Sequence, residues 1–191
     1  MRNPSRGRRM LAAITTLLCA ALPAGASAAG PDAFLGTWVR VEREQDDAAR
    51  DAMIVRATEP MSVAFRGFAR SLMRKRMVPT ERYVVEQVAG VAQIRNDKGV
   101  VVPLDGRQRV FDSEREVTSR FTETGGIEQT WKEGPDSHGV TTWKLEPDGR
   151  LVISQRVVDP HFTAPLEYST TYRRTSLGRP RDRGRRSLGS W

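Results

Sequence analysis

The residues best suited to hold a ligand fall near the end of the chain. Leu166, Tyr168, Thr170, Tyr172 and Arg174 recur at every second position. In a strand they share one face, while Glu167, Ser169, Thr171 and Arg173 share the other. Turned inward, the first set would line a barrel with phenol and hydroxyl groups able to orient a small molecule with a polar head. The same tyrosines would equally fill a barrel that has no cavity. Trp131 and Trp143 lie on neighbouring strand segments. There they form either a stacking platform for a flat ligand or a cross-strand pair that only stabilises the sheet.

No pattern in the sequence makes a catalytic centre. The two histidines, His138 and His161, sit in expected turns beside Gly139 and Pro160, with neither metal-ligand spacing nor the order of a triad. Carboxylates are scattered at strand ends and form no acid/base pair. Gly125-Gly126 lacks the strand-to-helix setting of a phosphate loop. Cys19, the only cysteine, lies in an apolar N-terminal run, so a processed chain holds neither disulfide nor thiolate. The sequence therefore reads as non-enzymatic, with no metal and no cofactor.

The net charge of +8 looks at first like an attraction for nucleic acid. It divides into +4 over residues 1–28 and +4 over 175–191, which leaves 29–174 neutral. A neutral body has no general field for phosphate backbones, so no nucleic-acid partner is expected. Residues 1–28 read as a signal peptide: arginines, then the apolar run Leu11 to Leu22, then Ala26-Ser27-Ala28 as the cleavage site. That run is short for a membrane span. The chain is accordingly expected in the periplasm or outside the cell. Residues 176–191, rich in Gly, Pro, Ser and Arg, read as a disordered basic tail.

The elements that would position the candidate site follow from periodicity. Phe34 to Arg43 reads as a first strand carrying Gly36 and Trp38, with a kink near Gly36. A helix over Asp46–Ala57 follows, with Ala49, Ala52 and Met53 as its apolar stripe. A second helix, opened by Pro60 and ended by Pro79, places Phe65, Phe68, Ala69, Leu72, Met73 and Met77 at helical spacing. Its arginines lie off that stripe. They either face solvent, pair with acids of 42–51, or touch an anionic membrane weakly. From Arg82 the period changes to two, with turns at Asn96–Gly99, Asp105-Gly106, Thr124–Gly126, Gly134–Asp136 and Pro147–Gly149. The pattern predicts a mainly β domain over 29–175: an antiparallel up-and-down barrel of about nine or ten strands, its helix pair (46–77) between the first and second strands and closing one end.

This order of elements resembles the calycin superfamily, and the fatty-acid-binding-protein arrangement within it more than the lipocalins. The resemblance is carried by Gly36-Thr37-Trp38, by the helix pair before the second strand, and by Gln129 to Arg174, with its Asp148-Gly149 hairpin and its final strand ending in Tyr172. It implies that Trp38 closes the barrel base opposite the helical lid. It also implies a small lipophilic or amphipathic ligand, held by Lys144, where a family basic residue would stand, and by Tyr172. Thr170 replaces the arginine expected two residues before that tyrosine. The site residues read from the sequence are thus Lys144, Tyr168, Thr170, Tyr172, Trp131 and Trp143 in the barrel, roofed by Phe65, Phe68 and Leu72. A single chain would suffice for such a site, so a monomer is expected. Secretion of the full chain from a bacterial host and sequencing of the exported product should read Ala29 first; an exported product still beginning at Met1 contradicts the signal-peptide reading.

Overall fold

The computed structural model describes residues 30–111 and 115–175. The expected signal peptide and basic tail lie outside the described residues. A short 3-10 turn, Pro31–Phe34, leads into β1 (Gly36–Arg40). Two helices follow, α1 (Arg43–Thr58) and α2 (Val63–Arg76). Then come β2 (Arg82–Val88), β3 (Val91–Asn96), β4 (Val101–Pro103), β5 (Arg109–Phe111) and β6 (Arg115–Phe121). The chain ends through β7 (Ile127–Glu133), β8 (Ser137–Leu145), β9 (Arg150–Val158) and β10 (Leu166–Thr175). All ten strands form one antiparallel sheet in the order β4-β3-β2-β1-β10-β9-β8-β7-β6-β5, curled into a half-barrel. The mainly β, up-and-down architecture and the helix pair between β1 and β2 agree with the sequence.

The sheet has a seam. β4 and β5 are neighbours in sequence yet stand at its two edges. A bridge between Asp105 and Arg120, with Gly106 donating its N–H to Ser119 O at 2.9 Å, fastens their junction to β6. At the end away from the helices the interior is solid. Phe34, Trp38, Leu104, Ile127, Leu151 and Ile153 pack there as one apolar cluster. Trp38 donates its indole N–H to Phe34 O at 2.7 Å, and the Arg174 guanidinium lies over its ring at 4.7 Å. Gly36 sits at a φ of +130°, which side-chain-bearing residues rarely adopt, so the kink expected near it is real and opens β1.

β1 is shorter than the sequence suggested, and α1 begins earlier, for one reason. Arg40 is 4 % exposed and needs anions around it. The chain leaves the sheet at once to supply them. Asp47 pairs with Arg40 at 2.8 Å, Asp46 lies at 3.7 Å, and Glu81, just before β2, at 3.5 Å. Asp46 also completes the ladder: where β1 has turned away, its carboxylate accepts the Thr171 N–H at 2.9 Å. Burial pushes the Asp46 carboxyl above the usual carboxylate range, against the opposing pull of the Thr171 N–H and Arg40. Asp47, hydrogen-bonded to Arg40, is held below that range.

α1 then packs Met53 and Ile54 against Leu166 and Met73. Ala49 and Ala52, expected in its apolar stripe, are exposed; the buried face instead runs through Asp46, Met53, Ile54 and Thr58. The charge cluster rotated the helix. α2 starts at Val63, leaving Pro60 in the turn before it. Three of its arginines are engaged with α1 or with the turn that joins the two helices. Arg66 reaches Glu59 O and Met61 O, Arg70 reaches Thr58 Oγ1, and Arg74 pairs with Asp51 at 3.2 Å. Among the described residues no helix is long and apolar enough to cross a membrane. Asp46→Ala would leave the buried Thr171 N–H without its acceptor and take one of three anions from around Arg40, and is expected to cost about 1–3 kcal/mol in urea unfolding. A loss within about 0.5 kcal/mol, the range of ordinary surface changes, would contradict that role.

Candidate ligand-binding site

The inward faces of the far strands change character along their length. β7 presents Ile127, Gln129, Trp131 and Glu133 in turn, and β9 presents Leu151, Ile153, Gln155 and Val157. Ile127, Leu151 and Ile153 lie in the packed end, and Gln129, Gln155 and Glu133 lie nearer the helices beside Trp131 and Val157. A strand side chain points inward at every second position, so this gradient is written directly into the sequence. The interior is therefore filled at one end and open at the other.

Two cavities occupy the open end. The larger, about 800 Å³, lies between α2 and the helix-facing ends of β7 to β10. Its roof is Phe65, Phe68, Ala69 and Leu72; its floor is Val157, Leu166 and Tyr168. A polar rim is made by Glu133, Ser137, Asp159 and His161. α2 is anchored by its C-terminal half, where Met73 is buried against Met53, Ile54 and Leu166. Its N-terminal half stands off the sheet, which leaves Phe65 and Phe68 about two-thirds exposed although they face the cavity. Tyr168 donates its hydroxyl to Gln155 Oε1 at 2.7 Å, and burial pushes its pKa well up, so it serves as a neutral hydroxyl. On the rim, Asp159 accepts hydrogen bonds from Ser137 Oγ at 3.0 Å and from the His161 N–H at 2.9 Å. Burial acts to raise the Asp159 carboxyl, but the His161 contacts outweigh it and hold the group below the usual range.

The smaller cavity, about 260 Å³, lies inside the barrel along the seam. Ile94, Asn96, Val100 and Val102 face it from one side of the seam, and Phe111, Arg115, Val117 and Gln129 from the other. Tyr83, Trp131 and Trp143 complete its walls. Tyr83 packs edge-to-face on Trp143 with ring centroids 4.6 Å apart. The Trp143 N–H has no acceptor among the described residues. That is unusual, because burying an amide-like donor unpaired costs on the order of 1–3 kcal/mol.

Arg115 and Trp131 belong to both cavities and divide them. Arg115 stands opposite Glu133 in the β6–β7 ladder and binds its Oε2 at 2.6 Å. The same guanidinium lies 5.3 Å from the Trp131 ring centre. Trp131 can lie flat because it stands opposite Gly139, where an added Cβ would come within 2.6 Å of the indole.

Several expected positions are corrected by the register. Lys144 follows inward-facing Trp143, so it points outward, pairs with Glu146 at 3.2 Å and touches neither cavity. Tyr172 faces inward but is 1 % exposed in the packed core, its hydroxyl donating to Thr80 O at 2.8 Å. Thr170 is likewise buried, near Ile153 O, and lines no cavity. Trp131 and Trp143 are not cross-strand partners, since Trp143 stands opposite Ile127 and Trp131 opposite Gly139. They share the smaller cavity's wall instead. His138 lies within β8, not in a turn, and faces solvent. Phe65, Phe68, Leu72 and Tyr168 do gather around the larger cavity.

Sequence reasoning missed Arg115, Glu133, Gln129 and Gln155. The signal for Arg115 was there: extending β6 back by one residue places it two before Val117 on the inward face. Among the described residues no group of three or more metal-ligating side chains gathers. The chain matches no protein-family model, and no curated protein aligns with it significantly. The curled sheet of ten strands with two helices is consistent with a calycin-like fold. Gly139→Ala should push Trp131 off its seat and cost about 1–3 kcal/mol, the usual range for overpacking. In a thermodynamic cycle the cost should largely vanish in a Trp131→Ala background; an equal cost in both backgrounds rules out the Gly139–Trp131 contact as its cause.

Proposed function

We propose that this is an exported, monomeric binding protein that holds one lipophilic or amphipathic small molecule in the cavity under α2. One observation carries the reading: the roof phenylalanines, Phe65 and Phe68, face an 800 Å³ cavity with about two-thirds of their surface uncovered. Apolar area of that size is costly to leave in water, and a ligand covering it would gain roughly 25 cal/mol per Å². The cavity also has the usual make-up of a small-molecule site, with apolar walls and a few convergent polar groups. Tyr168, Gln155 and the Ser137–Asp159–His161 rim supply those groups.

A second reading, a surface-associated module without a barrel ligand, draws on the same exposed helix end, where Val63 is 82 % exposed. It is weaker on charge. Arg70 and Arg74 bind α1 and Arg66 binds the turn between the helices, which leaves Lys75 and Arg76 as the remaining basic groups of α2. Flotation with phosphatidylglycerol vesicles separates the two readings: vesicle binding that survives high salt and occurs without uptake of any ligand favours the second.

Native mass spectrometry of the protein taken from its own compartment should show a bound small molecule. Fluorescence titration with anilinonaphthalene sulfonate should saturate at one site per chain. The double substitution Phe65→Ser and Phe68→Ser should weaken the probe at least about tenfold, given about 1.5–3 kcal/mol for each fully covered phenylalanine. Equal affinity in the folded double variant would discard the lid cavity as the site.

A further inference from the structure

We propose that the chamber at the seam is a second binding site, for a planar molecule of one or two rings that carries an anionic substituent. It is distinct from the lid cavity, because Arg115 and Trp131 stand between the two.

Size sets the first limit. The chamber holds about 260 Å³. An apolar cavity of about 150 Å³ takes benzene, so this one fits a single ring with its substituents or a compact pair of rings. Shape and polarity set the second. Tyr83, Phe111, Trp131 and Trp143 present aromatic surface from four different strands, which favours a flat aromatic guest by stacked or edge contacts. A long alkyl chain would find neither the length nor the contacts.

The charge preference comes from Arg115. Its Nε and one terminal nitrogen both bind the same Glu133 oxygen, at 3.2 and 2.6 Å. A guanidinium has five N–H donors in a planar fork, so donors remain for a second anion on the chamber side. Glu133 therefore competes with the guest for Arg115, while the Trp131 ring fixes the guanidinium plane. Gln129, whose amide N–H donates to Ser119 Oγ at 3.1 Å, lines the same chamber. The seam supplies the way in: among the described residues β4 and β5 make no ladder with each other, and Val102 and Phe111 line the chamber from its two sides.

The test uses the processed chain and fluorine NMR with para-fluorobenzoate, with para-fluorobenzyl alcohol as the neutral analogue. Para-fluorobenzoate should shift saturably. Arg115→Met should weaken it by about tenfold or more, as loss of a charge-assisted contact does, while Glu133→Gln should tighten it by about threefold or more. The alcohol should change by less than about twofold in either variant. A purely structural role for the Arg115–Glu133 pair would move both probes, and both substitutions, in the same direction. Val102→Trp, which fills the chamber, should abolish binding of both probes. Phe65→Ser with Phe68→Ser should leave para-fluorobenzoate unchanged even where anilinonaphthalene sulfonate is lost, so the two sites fail separately. No saturable shift with para-fluorobenzoate, no loss on Arg115→Met, or loss on the lid double substitution would each overturn the proposal.

Discussion

The buried Arg40 charge is the constraint from which the rest of the molecule is laid out. A guanidinium removed from water must be met by carboxylates, and here they come from Asp46 and Asp47 near the start of α1 and from the residue before β2. Meeting it ends β1 early, fixes the direction in which the chain leaves the sheet, and sets the face that α1 turns to β10. Asp46 does two things at once, standing near Arg40 and replacing a missing strand carbonyl for Thr171. A helix placed this way needs little apolar packing along its whole length, and α1 has little: Ala49 and Ala52 face water.

α2 inherits its position from α1. Arg66, Arg70 and Arg74 tie it to the C-terminal end and flank of α1, and Met73 pins its far half. The near half is left standing over the barrel mouth. The cavity beneath it follows from this chain of attachments, as well as from the polar inward residues at the helix-facing ends of β7 and β9. Those residues could not have packed into a dry core without partners. The interior is filled around Phe34, Trp38, Leu151 and Ile153 and open under α2, where Arg115 and Trp131 line both cavities.

The fold was legible because it rests on period and order. Strand alternation from Arg82 onward, the Asp-Gly turns and the Phe65–Met77 stripe all lie where sequence pattern places them. Part of the larger cavity's lining was legible for the same reason: the α2 stripe and Tyr168. Lys144, Thr170 and Tyr172 were not, because each depends on depth and register rather than on face. Lys144 came from resemblance to a family position, and a single step from Trp143 puts it outside. Tyr172 faces inward as its spacing requires, yet how far down a barrel the core fills cannot be read from alternation. Arg115 depends on pairing across strands, where Glu133 and Trp131 become its neighbours only in three dimensions.

The seam between β4 and β5 bears on edge-to-edge association. An open sheet edge is a template for another chain, and an opened barrel has two. Here each edge strand has three residues, Pro103 removes one donor, and the two edges belong to consecutive segments that bend back toward one another. The half-barrel can keep its wall unzipped, and its interior reachable, without offering a long strand for edge-to-edge aggregation.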